Sequence, residues 1–215
     1  MTTPIHEGQP LHTRGIELDQ ARCVMIMIHG RGASPHYILA LADEFETQHF
    51  AYLAPQAAGF TWYPNWFTAP IASNEPYLSS ALRVIDGLVE KVMQAGIPSE
   101  RVILLGFSQG ACLTLEYAAR HARRYGGVIG LSGGLIGEPG QVFSYPGSLM
   151  GTPVFLGCSD IDRHIPLWRV HESAAAFKAL EADVTERIYP NMGHLVHSDE
   201  IAFVKALAQS IEGRE

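Results

Sequence analysis

Short apolar runs of strand length alternate along the chain with longer stretches in which apolar residues recur three and four apart. That alternation predicts an α/β fold, a mostly parallel sheet with helices on both faces. Cys23-Val24-Met25-Ile26-Met27-Ile28 is continuously apolar, as a strand buried on both sides must be. Similar runs are Phe50 to Leu53, Val102 to Leu105, Gly127 to Leu131 and Pro153 to Gly157, while Val184 to Tyr189 is more polar and reads as lying nearer an edge. A further edge strand is expected around Gly15 to Leu18. Helical periodicity covers Tyr37 to Glu46, Leu78 to Ala95, Gln109 to Arg124, Trp168 to Ala182 and Asp199 to Ile211. Gly96 and Pro98 stop the second of these, and Asp199 is the expected N-cap of the last.

Gly59 to Tyr77 breaks the pattern. Trp62, Tyr63, Trp66 and Phe67 sit there among prolines with neither period. Long connections without secondary structure are uncommon in compact domains and are often functional. The segment reads either as a surface loop anchored by its aromatics or as a wall of a binding site.

The chain has 215 residues, enough to bury a sizeable core, and residues 1–215 read as one domain. A formal net charge of -7 and the lack of any Lys/Arg cluster argue against a nucleic acid or an anionic membrane as partner. Cys23, Cys112 and Cys158 lie in or beside apolar runs, the pattern of buried thiols in a reducing compartment. The first fifteen residues have neither a basic start nor an apolar core, and no apolar stretch approaches the roughly 18 residues of a membrane span, so the chain reads as cytoplasmic.

Chemistry enters at Gly106-Phe107-Ser108-Gln109-Gly110, a G-x-S-x-G motif between a buried strand and a helical pattern. Glycines flank the serine because the turn is too tight for a Cβ there, and Ser108 is forced into a strained conformation that projects its hydroxyl. Serine needs an imidazole to take its proton and a third group to orient that imidazole. In this strand order the acid and then the histidine should follow, each just after a later strand. Asp162 is the expected acid, with Asp160 as a brace of the same turn, and His194, preceded by Gly193, is the expected base, with His197 as the alternative. His194 and His197 have the spacing of a metal pair, but no Cys, Asp or Glu cluster completes a site, so no metal is expected.

The oxyanion needs preorganised N–H donors. Gln109 supplies one from the N-terminus of the helix after the serine, and Arg31, in Ile28-His29-Gly30-Arg31-Gly32, supplies the second from its backbone. The Arg31 side chain is left open between binding a carboxylate and reaching solvent.

With these residues assembled, the chain resembles the phospholipase/carboxylesterase family of α/β-hydrolases, which includes the acyl-protein thioesterases. The resemblance runs from about Val24 to Ile211 and is carried by His29-Gly30-Arg31-Gly32, Gly106 to Gly110, Leu131-Ser132-Gly133, Asp162 to Pro166 and Met192-Gly193-His194. It implies a Ser108, Asp162, His194 triad, backbone oxyanion donors at Arg31 and Gln109, no cofactor, and a homodimer as a common assembly. Three departures bear on the substrate. Cys158-Ser159 stands where the family has histidine-glycine, Arg31 stands where leucine is common, and Pro64 and Thr68 follow the aromatic pairs where aspartate is usual.

The expected activity is therefore serine hydrolysis of small-molecule carboxylic esters or thioesters through an acyl-enzyme. Trp62, Tyr63, Trp66 and Trp168 are the expected substrate-binding residues, and they suit aryl or short-to-medium acyl groups. The alternatives are a lactone or peptide hydrolase on the same triad and a non-catalytic hydrolase-like binding protein.

Overall fold

The computed structural model describes residues 4–214. Seven strands form one sheet: β1 Leu11–Gly15, β2 Cys23–Ile28, β3 Phe50–Pro55, β4 Val102–Phe107, β5 Gly127–Leu131, β6 Pro153–Ser159 and β7 Asp183–Tyr189. Their order is β1-β3-β2-β4-β5-β6-β7, with β1 antiparallel to β3 and all other pairs parallel. The helices are α1 Pro35–Leu39, α2 Tyr77–Gln94, α3 Gln109–Arg120, α4 Leu167–Ala179 and α5 Ser198–Glu212. This is the mostly parallel α/β architecture that the alternating pattern leads to, and the α/β-hydrolase fold that the resemblance implies.

Alternation along the central strands divides the core in two. Val24, Ile26 and Ile28 of β2 face a cluster that includes Leu82 of α2, Leu113 of α3 and Phe177 of α4. Cys23, Met25 and Met27 face the opposite cluster with Ile38 of α1 and Val204 and Ala208 of α5. Burying each such side chain contributes roughly 1.5–3 kcal/mol, so both faces hold the strands firmly. β7, the more polar strand, forms one edge of the sheet. Because the strands run parallel in register, the loops after β2, β4, β6 and β7 emerge at one end, where open α/β sheets place their ligands.

Several boundaries differ from the periodicity. The edge strand is Leu11–Gly15, ahead of Gly15 to Leu18, because β1 pairs back antiparallel on β3 before the chain turns into β2. The helix expected over Tyr37 to Glu46 is a short α1 followed by a tighter turn at Ala40–Glu44, and it ends where Glu46 takes a left-handed φ of 51°. α3 stops at Arg120 because His121 leaves helical geometry and Tyr125 must bury its ring before β5. α4 stops at Ala179, two residues before Glu181 turns left-handed.

The N-cap of α5 is His197 rather than Asp199. His197 Nδ1 accepts the Asp199 N–H at 3.0 Å and Glu200 Oε2 accepts the His197 N–H at 2.6 Å, a reciprocal capping box. The Asp199 carboxylate is engaged elsewhere, by Arg187 and the Tyr189 hydroxyl.

Candidate active site

Strand β4 ends at Phe107, helix α3 begins at Gln109, and Ser108 alone makes the turn. Its φ of 56° and ψ of -120° lie where a side chain costs about 1–3 kcal/mol, a strain the surrounding structure must impose. The imposition is visible. The Ser108 N–H bonds to the Leu131 carbonyl at the end of β5 at 2.9 Å, and the Cys112 N–H returns to the Ser108 carbonyl at 3.0 Å. A Cβ on Gly106 would lie 2.3 Å from the Gly110 carbonyl oxygen, and one on Gly110 would lie 2.1 Å from that of Ile28. Only glycines let α3 approach β4 and β2 this closely.

The hydroxyl so presented meets a histidine. Ser108 Oγ is 2.8 Å from His194 Nε2, and His194 Nδ1 is 2.7 Å from Asp162 Oδ2. A carboxylate can only accept, so Nδ1 carries the ring proton and Nε2 is left to take the proton of Ser108. The Asp162 side chain is fully buried, and a buried carboxylate must be satisfied. Its Oδ1 accepts the N–H groups of His164 at 2.8 Å and Ile165 at 3.1 Å. The Cys158 thiol lies 3.8 Å from Oδ2. Burial, and then the charge of Asp162, push that thiol up to about 12, so it stays protonated and donates to the carboxylate.

The two alternatives weighed from sequence are engaged elsewhere. Asp160 Oδ1 accepts the Asn191 N–H at 2.8 Å and so ties the acid loop to the histidine loop. His197 caps α5 and stacks on Tyr189 with ring centroids 4.5 Å apart. With His194 committed to Asp162 and Ser108, neither member of the His194, His197 pair is disposed to hold a metal.

On the other side of Ser108, the loop after β2 passes close by: a Cβ on Gly30 would be 3.4 Å from that of Ser108. This brings Arg31 and Gln109 to the wall of one pocket with Ser108 and His194. Gln109 opens α3, where first-turn N–H groups have no partner within the helix. Its side chain faces the aromatic connection, accepting the Trp62 N–H at 2.9 Å and donating to the Tyr63 carbonyl at 2.8 Å.

The Arg31 side chain is held in place by the protein's own main chain. It reaches the same connection and donates to three successive carbonyls, Tyr63 at 2.8 Å, Pro64 at 3.0 Å and Asn65 at 2.8 Å. The aromatic segment is therefore a shaped wall. Its regular parts are short tight turns at Ala58–Phe60 and Ile71–Asn74, and Asn74 further accepts the Asn65 N–H and donates to the Trp66 carbonyl.

The pocket over Ser108 has a volume of about 600 Å³. Of the four expected substrate-binding residues, Tyr63 and Trp66 line it. Trp62 and Trp168 do not. Trp62 is completely buried, its indole N–H donating to the His29 carbonyl at 2.9 Å, and with Tyr63 and Phe67 it anchors the segment in the core. Trp168 lies outside the pocket, its ring against the guanidinium of Arg169.

Sequence reasoning missed Phe67, Cys112, Ile165 and His164, all of which line the pocket. His164 packs between Trp66, at 5.8 Å, and His194, at 4.7 Å between ring centroids. The available signal was its place two residues after the acid, in a loop already assigned to the site. Two buried histidines stand behind the wall. His29 donates from Nδ1 to the Gly30 carbonyl and accepts the Ala57 N–H at Nε2. His6 donates from Nε2 to the Trp62 carbonyl and accepts the Ala58 N–H at Nδ1. Burial pushes both pKa values down.

A family model described as phospholipase/carboxylesterase matches residues 17–211. Acyl-protein thioesterase 1 of Saccharomyces cerevisiae is 26% identical over 209 residues, covering 86% of this chain and 91% of that protein. The crystal structure of a phospholipase/carboxylesterase from Dyadobacter fermentans is 38% identical, with a TM-score of 0.90 over 98% of this chain and 99% of that one. The Bacillus cereus carboxylesterase has the same fold, with a TM-score of 0.74 at 15% identity over 95% of each chain.

Proposed function

The chain belongs to the phospholipase/carboxylesterase family, and from that premise we propose that it cleaves carboxylic esters or thioesters with Ser108 as nucleophile, His194 as general base and Asp162 as the group that orients His194. The observation that carries the reading is the unbroken hydrogen-bonded chain from Ser108 Oγ through the His194 ring to the buried Asp162 carboxylate.

His194 Nε2 takes the Ser108 proton as Oγ attacks the carbonyl carbon. The backbone N–H groups of Arg31 and Gln109 stabilise the oxyanion, the latter aided by the dipole of α3. Collapse of the tetrahedral intermediate expels the alcohol or thiol, which takes its proton from His194. Water, deprotonated by His194, then attacks the acyl-enzyme and releases the acid. Asp162 holds Nδ1 protonated throughout.

The substrate is a small molecule with an aryl or short-to-medium acyl group. A pocket of about 600 Å³ bounded by Tyr63, Trp66 and Phe67 supports that size and shape. Three unpaired, buried cysteines support a cytoplasmic setting, and among the described residues no helix is long and apolar enough to cross a membrane.

The test is covalent labelling with a fluorophosphonate followed by peptide mapping. The adduct is expected on the peptide containing Ser108 and is expected to vanish in Ser108→Ala. A folded protein whose mass the probe leaves unchanged would overturn the assignment.

A further inference from the structure

We propose that the substrate carries a carboxylate, and that Arg31 and His164 recognise it from the wall of the pocket. The inference rests on the hydrolase reading above and narrows it.

Charge is distributed unevenly. The chain carries a net charge of -7, yet no Asp or Glu lines the pocket, and Arg31, His164 and His194 do. Asp162 is the nearest carboxylate in sequence to that wall, and its side chain is fully buried and spent on His194 and two backbone N–H groups.

The Arg31 guanidinium has three carbonyl partners and, among the described residues, no ion-pair partner. Carbonyls orient a guanidinium without neutralising it, so the positive charge is both fixed in place and unpaired. Of its five N–H donors, the Nε–H and one Nη1–H remain unspent. A fixed, planar cation with donors to spare is the group that recognises carboxylates best.

His164 adds a second, independent observation. Its ring is held by Trp66 on one side and His194 on the other, but among the described residues its two ring nitrogens have no hydrogen-bond partner, while its backbone N–H is fixed to Asp162. The side chain has no structural bond to make and faces the pocket, so it is available to donate to a ligand.

The test compares kcat/KM for three para-nitrophenyl-type esters at low salt: a neutral butyrate, a glutarate monoester with a terminal carboxylate on the acyl side, and a butyrate with the carboxylate on the aryl leaving group. At least one anionic ester is expected to exceed the neutral one by about tenfold, the size of one charge pair a few ångströms apart in a solvated pocket. Molar salt should remove most of that preference.

The ratio of anionic to neutral ester within each variant cancels any general loss of activity. It should fall to about one in Arg31→Gln, which keeps donors but loses charge, survive largely in Arg31→Lys, and fall about twofold to threefold in His164→Gln. Efficient, Ser108-dependent hydrolysis of the neutral ester with no preference for either anionic ester overturns this inference and leaves the hydrolase reading standing. So does a preference that persists unchanged in Arg31→Gln. Turnover of none of the three, with no fluorophosphonate adduct, overturns both.

Discussion

The turn at Gly106 to Gly110 and the aromatic connection at Ala57 to Phe67 face the same pocket and are held by different forces. The turn is fixed by backbone. Ser108 is hydrogen-bonded to the neighbouring strand, and its glycines lie against main-chain atoms, Gly106 against the first turn of α3 and Gly110 against the end of β2. The connection is fixed by side chains. His6, His29, Gln109, Arg31 and Asn74 each reach one or more of its peptide groups. Geometry set by backbone is shared by any chain with the same strand, turn and helix, so it can carry chemistry. Geometry set by side chains changes with single residues and titrates, and so it can carry selectivity.

The widest separation between the two regions is expected in activity. Ser108→Ala should lower kcat/KM by about 10⁴ or more while the unfolding midpoint hardly moves, since the hydroxyl is spent on chemistry rather than packing. Asp162→Asn should cost about 10³–10⁴ in kcat, because an amide at that position favours the wrong His194 tautomer. Trp66→Ala, on the other wall, should raise KM for aryl esters by about three- to tenfold with kcat nearly unchanged, the mark of binding lost equally from ground and transition states. A kcat collapse in Trp66→Ala would erase the distinction drawn here.

One substitution type made in both places separates them by stability. Gly110→Ala drives a Cβ of α3 to within 2.1 Å of the Ile28 oxygen at the end of β2, and since that contact is with main chain that cannot swing aside, a loss of more than about 3 kcal/mol in chemical denaturation is expected. Gly59→Ala meets nothing within 4 Å and only a left-handed φ of 60°, so about 1–2 kcal/mol is expected.

The same division decides what the sequence made legible. Continuous apolar runs announced β2, β4, β5 and β6, because a strand buried on both faces tolerates nothing else. The serine turn and the acid follow such strands and the histidine follows the more polar β7, so their order along the chain fixed where to look. The aromatic connection offered no such rule. Trp62 and Trp66 look equivalent in sequence, four residues apart among prolines, yet one is core and the other is 58% exposed. What distinguishes them is a set of hydrogen bonds from His6, His29 and Gln109, residues up to 56 positions away along the chain. His197 replaced Asp199 as the cap of α5 for a related reason: the Asp199 carboxylate had nearer cations and hydroxyls to satisfy.

The smallest expected effect bears on the side-chain supports themselves. His6 and His29 each accept a backbone N–H of the connection through an unprotonated ring nitrogen, and burial lowers both pKa values. Unfolded, each ring takes up a proton near the ordinary histidine value of about 6.5. The folded rings resist, so the stability they confer is complete above that pH and is lost as pH falls below it toward their depressed folded values. Glu200, under the acid loop, runs the other way. Burial raises its pKa to about 7, and its Oε1 has no partner. It therefore confers stability below the ordinary glutamate range that is lost as pH rises to about 7. Between about pH 5 and 6.5 the slope from the histidines and the slope from Glu200 oppose, so the denaturation midpoint of the native protein should vary less with pH than the histidines alone would make it. Glu200→Gln removes one slope while its amide oxygen keeps the bond to the His197 N–H. That variant should lose stability more steeply than the native protein as pH falls from 6.5 to 5, with hydrogen exchange accelerating first at the Ala57 and Ala58 amides. If the midpoint of Glu200→Gln stays flat with those amides protected, the histidines do not govern the connection, and its wall of the pocket is as insensitive to protons as the serine turn opposite.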